Sequence, residues 1–387
     1  MPPTETKTIR RPRLEKAVRL LWWAIVGSGI VIRLAVYLYK RSLWLDEAML
    51  AVNVKTHTFA HLFERLDDMQ VASPLFLLVS KFVCSVWGQL EYALRLLPLI
   101  SGCVALLLLA RLLKRIGPRF FGLCALAVFA FGFIHIDWAT SFKQYATDEF
   151  STLLVIYAAV LWDKLSASKR YIVAASAPIL LWLSYPSAFV LLGLLCVGVI
   201  SAARKKDWAV RGALAVLILS MLISSVLLYL VAAQHSIGHE GMVLYWADGF
   251  VQLPFWGWFA GSMISVLSWA SGVPYGPLLG FLMCLWGACA LAKSEHQSVT
   301  VLAVGTLATA LAASYLKVYP FLGKRICAYW GPIALLLLAF GFDAAYRVLK
   351  PQSVARWVKI VAVLAVAIAV YGLVHDSAGL IARQEMR

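Results

Sequence analysis

The residues best suited to chemistry begin with Ser42-Leu-Trp-Leu-Asp-Glu-Ala-Met-Leu-Ala-Val-Asn53, where the adjacent carboxylates Asp46 and Glu47 follow the first long apolar segment. Ionisable groups beside a bilayer core cost free energy unless solvated, paired or used, so such a pair is either a solvated helix end or part of a working site. Two later stretches carry complementary groups. Phe142–Glu149 holds Lys143, Gln144, Tyr145, Asp148 and Glu149, and Lys317–Tyr329 holds Tyr319, Lys324 and Arg325. A carboxylate base beside a phosphate clamp suits transfer of a group from a phosphate leaving group to a hydroxyl. The base supplies about 10²–10⁴ in rate, and the cations stabilise charge on the departing phosphate. Arg adds a planar fork that matches phosphate oxygens. Neither half is specific alone, since a Lys-Arg pair beside a membrane also binds anionic headgroups in general.

The elements that must position these groups are membrane helices. Hydrophobic residues make up 62% of the chain and charged residues only 14%, which takes it out of the soluble globular class. A net charge of +16 could point to nucleic acid, but here the basic residues alternate with apolar spans instead of forming a patch on a polar surface. Reading for about 20 apolar residues per span gives candidates near 20–39, 94–113, 120–138, 150–162, 171–184, 186–202, 211–232, 277–292, 299–315, 331–349 and 358–374, about eleven in all. The run from Leu20 to Tyr39, behind Arg10, Arg11, Arg13, Lys16 and Arg19, has no small-residue cleavage site after it and reads as an uncleaved helix.

Lys and Arg placement orients the bundle with the N-terminus cytoplasmic. Inner segments then hold Arg111, Lys114, Arg115 and Arg119, then Lys164, Lys169 and Arg170, then Arg204, Lys205, Lys206 and Arg211, while most acids fall outside. Pro74–Gly88 is apolar but short, and reads as a helix on the outer surface anchored by Lys81 and Trp87. The single membrane domain, 1–387, thus has a first outer loop at 40–92 and a second at 233–276. The latter is rich in aromatics, including Tyr245, Trp246, Trp256, Trp258 and Trp269, which suit an aromatic belt or a platform for a sugar ring or lipid chain. The Lys and Arg near 143 and 325 break the positive-inside pattern, and an outer-leaflet phosphate would account for them.

Other polar residues have simpler readings. His57 and His61, with Glu64 a turn further, could share one helix face as metal ligands or merely line a helix surface, and the same holds for His235, His239 and Glu240. A divalent ion, Mg or Mn, bridging Asp46, Asp148 and a phosphate would have suitable oxygen ligands. Arg33, inside the first span, has no partner in sequence and is expected to snorkel outward. Asp343 and Arg347 are spaced for an i, i+4 pair. The seven cysteines lack a Cys-x-x-Cys spacing and read as core thiols.

The stretch Ser42–Asn53, then Ala72-Ser-Pro-Leu-Phe, Glu91-Tyr-Ala-Leu-Arg-Leu-Leu-Pro, Lys143-Gln-Tyr-x-x-Asp148, and Tyr319-Pro-Phe-x-x-Lys-Arg325 with Pro332 downstream resembles the polyprenyl-phosphate-sugar-dependent GT-C glycosyltransferases. The bacterial branch related to protein O-mannosyltransferases and the lipid A aminoarabinose transferase is the nearest in look. The resemblance implies an all-α GT-C bundle in the bacterial inner membrane, with its active site on the extracytoplasmic side. It implies a polyprenyl-phosphate-linked sugar donor and inverting transfer to a glycolipid or polysaccharide hydroxyl. Asp46 matches the family's first-loop aspartate, with Glu47 as its neighbour and rival. Asp148 matches the second-loop acid, Lys143 and Tyr145 its flanking residues, and Arg325 the late basic residue near the lipid phosphate, with Lys324 as a second candidate. The chain runs little past its last apolar segment, which argues for an acceptor other than a folded protein. A transporter or flippase for the same lipid would also explain outer cations and many spans, as would a non-catalytic subunit of an envelope-synthesis complex.

Overall fold

A computed structural model describes residues 12–39, 41–88, 91–235, 240–270 and 277–348, and in the C-terminal part 356–364, 366–368 and 370–372. Among the described residues every regular element is helical. The first helix, α1 (Pro12–Leu38), leads into α2 (Leu45–Thr56), α3 (Pro74–Trp87) and α4 (Glu91–Ile116). Next come α5 (Arg119–Phe131), α6 (Phe133–Thr140), α7 (Tyr145–Leu161), α8 (Ala167–Ser176), α9 (Ile179–Leu183), α10 (Ser187–Lys205) and α11 (Trp208–Val231). The rest is α12 (Glu240–Tyr245), α13 (Phe255–Ala270), α14 (Pro277–Ala292), α15 (Gln297–Tyr315) and α16 (Gly331–Val348), with 3₁₀ turns at His61–Phe63 and Arg325–Trp330.

Among the described residues six helices are long and apolar enough to cross a bilayer, and a seventh crossing is available if α5 and α6, bent by 46° at Gly132, act as one broken span. About eleven were expected. The difference has local causes. The 171–184 candidate is interrupted between α8 and α9, at Ala177 and Pro178. The 150–162 candidate becomes α7, whose 17 residues reach about 26 Å at 1.5 Å per residue. The 358–374 candidate falls partly outside the described residues. Segment 233–276 is more structured than the loop expected there, because it contains the 16-residue apolar helix α13.

The main core runs through α4, α5, α7, α10, α15 and α16, with Leu106, Phe129, Ile156, Leu191, Leu302 and Leu336 fully buried. By contrast, α11 leaves Leu219, Leu222 and Leu230 more than half exposed. Such a surface is an aggregation liability in water and an ordinary one in lipid. The first loop owns a separate small core of Leu50, Val54, Leu62, Phe76 and Leu77 that also takes in Phe142. Phe76 and Phe142 stack at 5.5 Å, so the loop is fastened to the segment that carries Lys143. At 14 residues α3 reaches only about 21 Å, too short to span, and it leaves Phe82, Val86 and Trp87 exposed along one side, as a surface helix would. Lys81 turns inward instead. Its ammonium donates to Val54 O at 2.9 Å, closing the C-terminal end of α2.

Candidate active site

Asp46, Lys143 and Arg325 meet, although they are 97 and 182 positions apart in pairs along the chain. Lys143 Nζ lies 3.0 Å from Asp46 Oδ1, and the Arg325 guanidinium lies 3.0 Å from Oδ2, so each carboxylate oxygen faces its own cation. Arg325 also lies over the Trp44 ring, 4.8 Å from its centroid. A fourth member is Gln70, whose amide donates to Asp46 Oδ1 at 3.2 Å and accepts from Lys143 at 2.6 Å. Burial pulls the Lys143 ammonium below the usual lysine range, and the Asp46 carboxylate opposes that shift.

Each member is held by local structure. Asp46 stands in the first turn of α2, where a carboxylate is favoured by the helix dipole. Lys143 is in the turn between α6 and α7, fixed by the burial of Phe142. Gln70 follows two residues, Asp68 and Met69, in the left-handed region at φ 54° and 52°. That turn is pinned by the fully buried Asn53, which accepts from the Asp67 N–H at 2.7 Å and donates to Asp67 O at 3.4 Å. Arg325 opens a 3₁₀ turn steadied by Tyr319, whose hydroxyl donates to Ile326 O at 2.8 Å. The approach to that turn needs Gly323, because a Cβ there would collide with Ser265 of α13.

Glu47 has a different position. Its side chain is fully buried and ion-paired with Arg95 at 2.7 Å, through two nitrogens of one guanidinium. It also accepts from the Phe142 N–H and from the Trp44 N–H, the latter at 3.2 Å. Arg95 in turn donates to Arg41 O and Ser42 O. With its oxygens bonded to Arg95 and to the Phe142 and Trp44 N–H groups, Glu47 holds the 41–47 strap against the Phe142 turn.

Asp148 is also buried, and its Oδ1 accepts from Ser184 at 2.6 Å. Tyr145 lies close enough to Arg325, Asp46 and Asp148 to feel their charges. Lys324 is exposed and points elsewhere, 5.6 Å from the Trp246 ring. Glu149, read from sequence as an outer acid, is instead buried and bonded to His135 Nδ1 at 2.6 Å. Arg33 does not snorkel. It is fully buried and donates to Gly29 O, Ala130 O and Phe129 O at 3.1, 2.9 and 2.8 Å, taking up carbonyls freed where α5 breaks from α6.

His57, His61 and Glu64 do not share one helix face, because α2 ends at Thr56. His57 pairs with Asp67 at 3.2 Å, while His61 lies 3.9 Å from Glu64. His239 lies outside the described residues, as do the side chains of His235 and Glu240. Among the described residues no three His, Cys, Asp or Glu side chains are grouped as metal ligands. Asp46 faces Lys143 and Arg325, and Asp148 faces Ser184. The Asp343–Arg347 pair forms as expected, at 2.7 Å.

No protein-family model matches the chain, and no curated protein matches it in sequence. Among solved structures it is similar to the oligosaccharyltransferase of Archaeoglobus fulgidus in complex with Zn and sulfate. That match has a TM-score of 0.50 at 12% identity and covers 90% of this chain and 52% of the other. The apo form of the same enzyme matches with a TM-score of 0.50 at 12% identity, over 91% of this chain and 55% of that one. Over most of its length the chain shares a fold with these structures. The chain spans about half the length of these structures.

Gln70, Arg95 and Ser184 were not singled out from sequence. Arg95 had a signal, a lone cation within an otherwise apolar run opening α4. Gln70 had none, because only the turn at Asp68 and Met69 aims it.

Proposed function

We propose that the protein is a membrane glycosyltransferase that moves a sugar from a polyprenyl-phosphate-linked donor to a hydroxyl of a glycolipid or polysaccharide. The observation that carries this reading is the clamp on Asp46, a carboxylate held between Lys143 and Arg325 at 3.0 Å each. Asp46 takes the proton of the acceptor hydroxyl, whose oxygen attacks the anomeric carbon from the side opposite the phosphate. The bond from that carbon to the phosphate oxygen breaks, and the configuration inverts. Lys143 and Arg325 receive the charge that develops on the departing lipid phosphate, the kind of preorganised stabilisation that carries much of catalysis. Glu47 and Arg95 hold the acid's strap in place, and Gln70 sets the spacing between Asp46 and Lys143. The fold shared with an oligosaccharyltransferase supports this reading. The Lys and Arg asymmetry supports a site on the non-cytoplasmic face of a bacterial inner membrane.

A transporter for the same lipid draws support from Arg33, His135 and Glu149, which are buried among the helices. Their bonding favours a structural role, since Arg33 spends its donors on main-chain carbonyls at the break after α5. One experiment separates the readings. Radiolabelled polyprenyl-phosphate sugars are offered with membrane glycolipid extract to proteoliposomes holding wild type, Asp46→Asn or Arg325→Ala. Label entering a new product only with wild type supports transfer. Label that merely changes leaflet, in all three, supports transport.

A further inference from the structure

We propose, building on the transfer reading above, that Asp46 is the resting counter-ion of the phosphate site. A lipid phosphate and the Asp46 carboxylate compete for the same two cations, so the carboxylate is free to take a proton only once a phosphate is bound. Both Asp46 oxygens are occupied, one by Lys143 and one by Arg325, each at 3.0 Å. Carboxylate and phosphate oxygens make the same charge-assisted bonds to ammonium and guanidinium groups, so one can replace the other. The cations do not have to move far to accept the exchange. Arg325 rests on the Trp44 ring, and Lys143 keeps its second acceptor, Gln70 Oε1, at 2.6 Å. Lys143 is only 5% exposed, and a buried ammonium without a counter-ion is costly, which gives Asp46 a structural reason to occupy this place between turnovers.

Charge balance fits a donor with one phosphate. Two cations against Asp46 leave the cluster with a single positive charge, and a sugar phosphodiester brings a single negative one. In the transfer the acceptor proton goes to Asp46, and the electron pair of the broken bond goes to the phosphate oxygen, which gains one negative charge. The cluster with its ligand is therefore neutral before and after the step. When Asp46 then loses its proton to solvent, it reclaims Lys143 and Arg325 and helps to expel the lipid phosphate. Glu47 cannot take over this role, because it is committed to Arg95 and to the Phe142 and Trp44 amides.

The test uses the full chain in detergent micelles, titrated with farnesyl phosphate as a short polyprenyl monophosphate and with farnesol as the tail alone. Removing the competitor in Asp46→Asn should tighten farnesyl phosphate binding about tenfold, the worth of a single hydrogen bond to a charged group, while transfer disappears. The same variant should melt earlier without ligand and show a larger ligand-induced rise in Tm than wild type. Asp46→Ser, which also removes the charge, should behave alike. Farnesyl phosphate binding that is unchanged or weakened in both variants relative to wild type overturns the competition and leaves the transfer reading standing. Equal binding of farnesyl phosphate and farnesol by wild type overturns both.

Discussion

Asp46 and Glu47 are neighbours in sequence, yet the fold puts them in opposite surroundings. Glu47 is fully buried with a single, matched partner in Arg95 and two main-chain N–H donors. Asp46 is 20% exposed and shared between two cations from distant parts of the chain. The first arrangement is complete, and removing either partner leaves an uncompensated buried charge. The second carries one cation more than it needs. A surplus of positive charge at a partly open position is what a site awaiting an anion requires, whereas a closed pair only fixes geometry.

Breaking the two arrangements should separate them by what is lost. The largest effect is expected from Asp46→Asn, which should lower transfer by about 10²–10⁴ while leaving the protein folded, measured as initial rates beside a thermal melt. Next, Glu47→Gln should cost about 3–5 kcal/mol of stability, with activity falling as the fold is lost. The double variant Glu47→Leu with Arg95→Met should recover part of that stability by removing both charges, though not all, because the Phe142 and Trp44 amides lose their acceptor.

Gln70→Ala leaves both ions present and removes only the spacer between them. It should reduce kcat/KM by about tenfold, the cost of a hydrogen bond to a charged group, and Gln70→Glu should not rescue it. The smallest effect is on pH dependence. Burial lowers the Lys143 pKa, so its charge, and with it phosphate binding, should be lost on the alkaline side at a lower pH than for an exposed lysine. Lys143→Arg should move that alkaline limb to higher pH, because guanidinium keeps its proton. An unmoved limb would detach Lys143 from phosphate binding.

Much of the Asp46 cluster was legible because its members lie in contiguous runs. The 42–53 stretch, Lys143-Gln-Tyr and Lys324-Arg325 each carry their side chains in a few residues, and cations outside the positive-inside pattern call for a partner. What the sequence could not separate was Asp46 from Glu47. Their surroundings are set apart by Arg95 and Phe142, 48 and 95 positions away from Glu47. Arg33 was misread for a related reason. Its acceptors are carbonyls released at the α5–α6 break, and nothing in the apolar run around Gly132 announces a 46° bend. Apolar length alone does not register the interruption at Ala177–Pro178. Nor does it fix helix ends, as α7 begins at Tyr145 and has 17 residues.

The most direct measurement of the central claim is labelled-sugar transfer by wild type, Asp46→Asn and Glu47→Gln in proteoliposomes, each rate divided by the fraction of protein shown to be folded. The account predicts that Asp46→Asn loses nearly all activity per folded molecule and that Glu47→Gln keeps most of it. Full activity in folded Asp46→Asn, or its loss in folded Glu47→Gln alone, would contradict the assignment of the base.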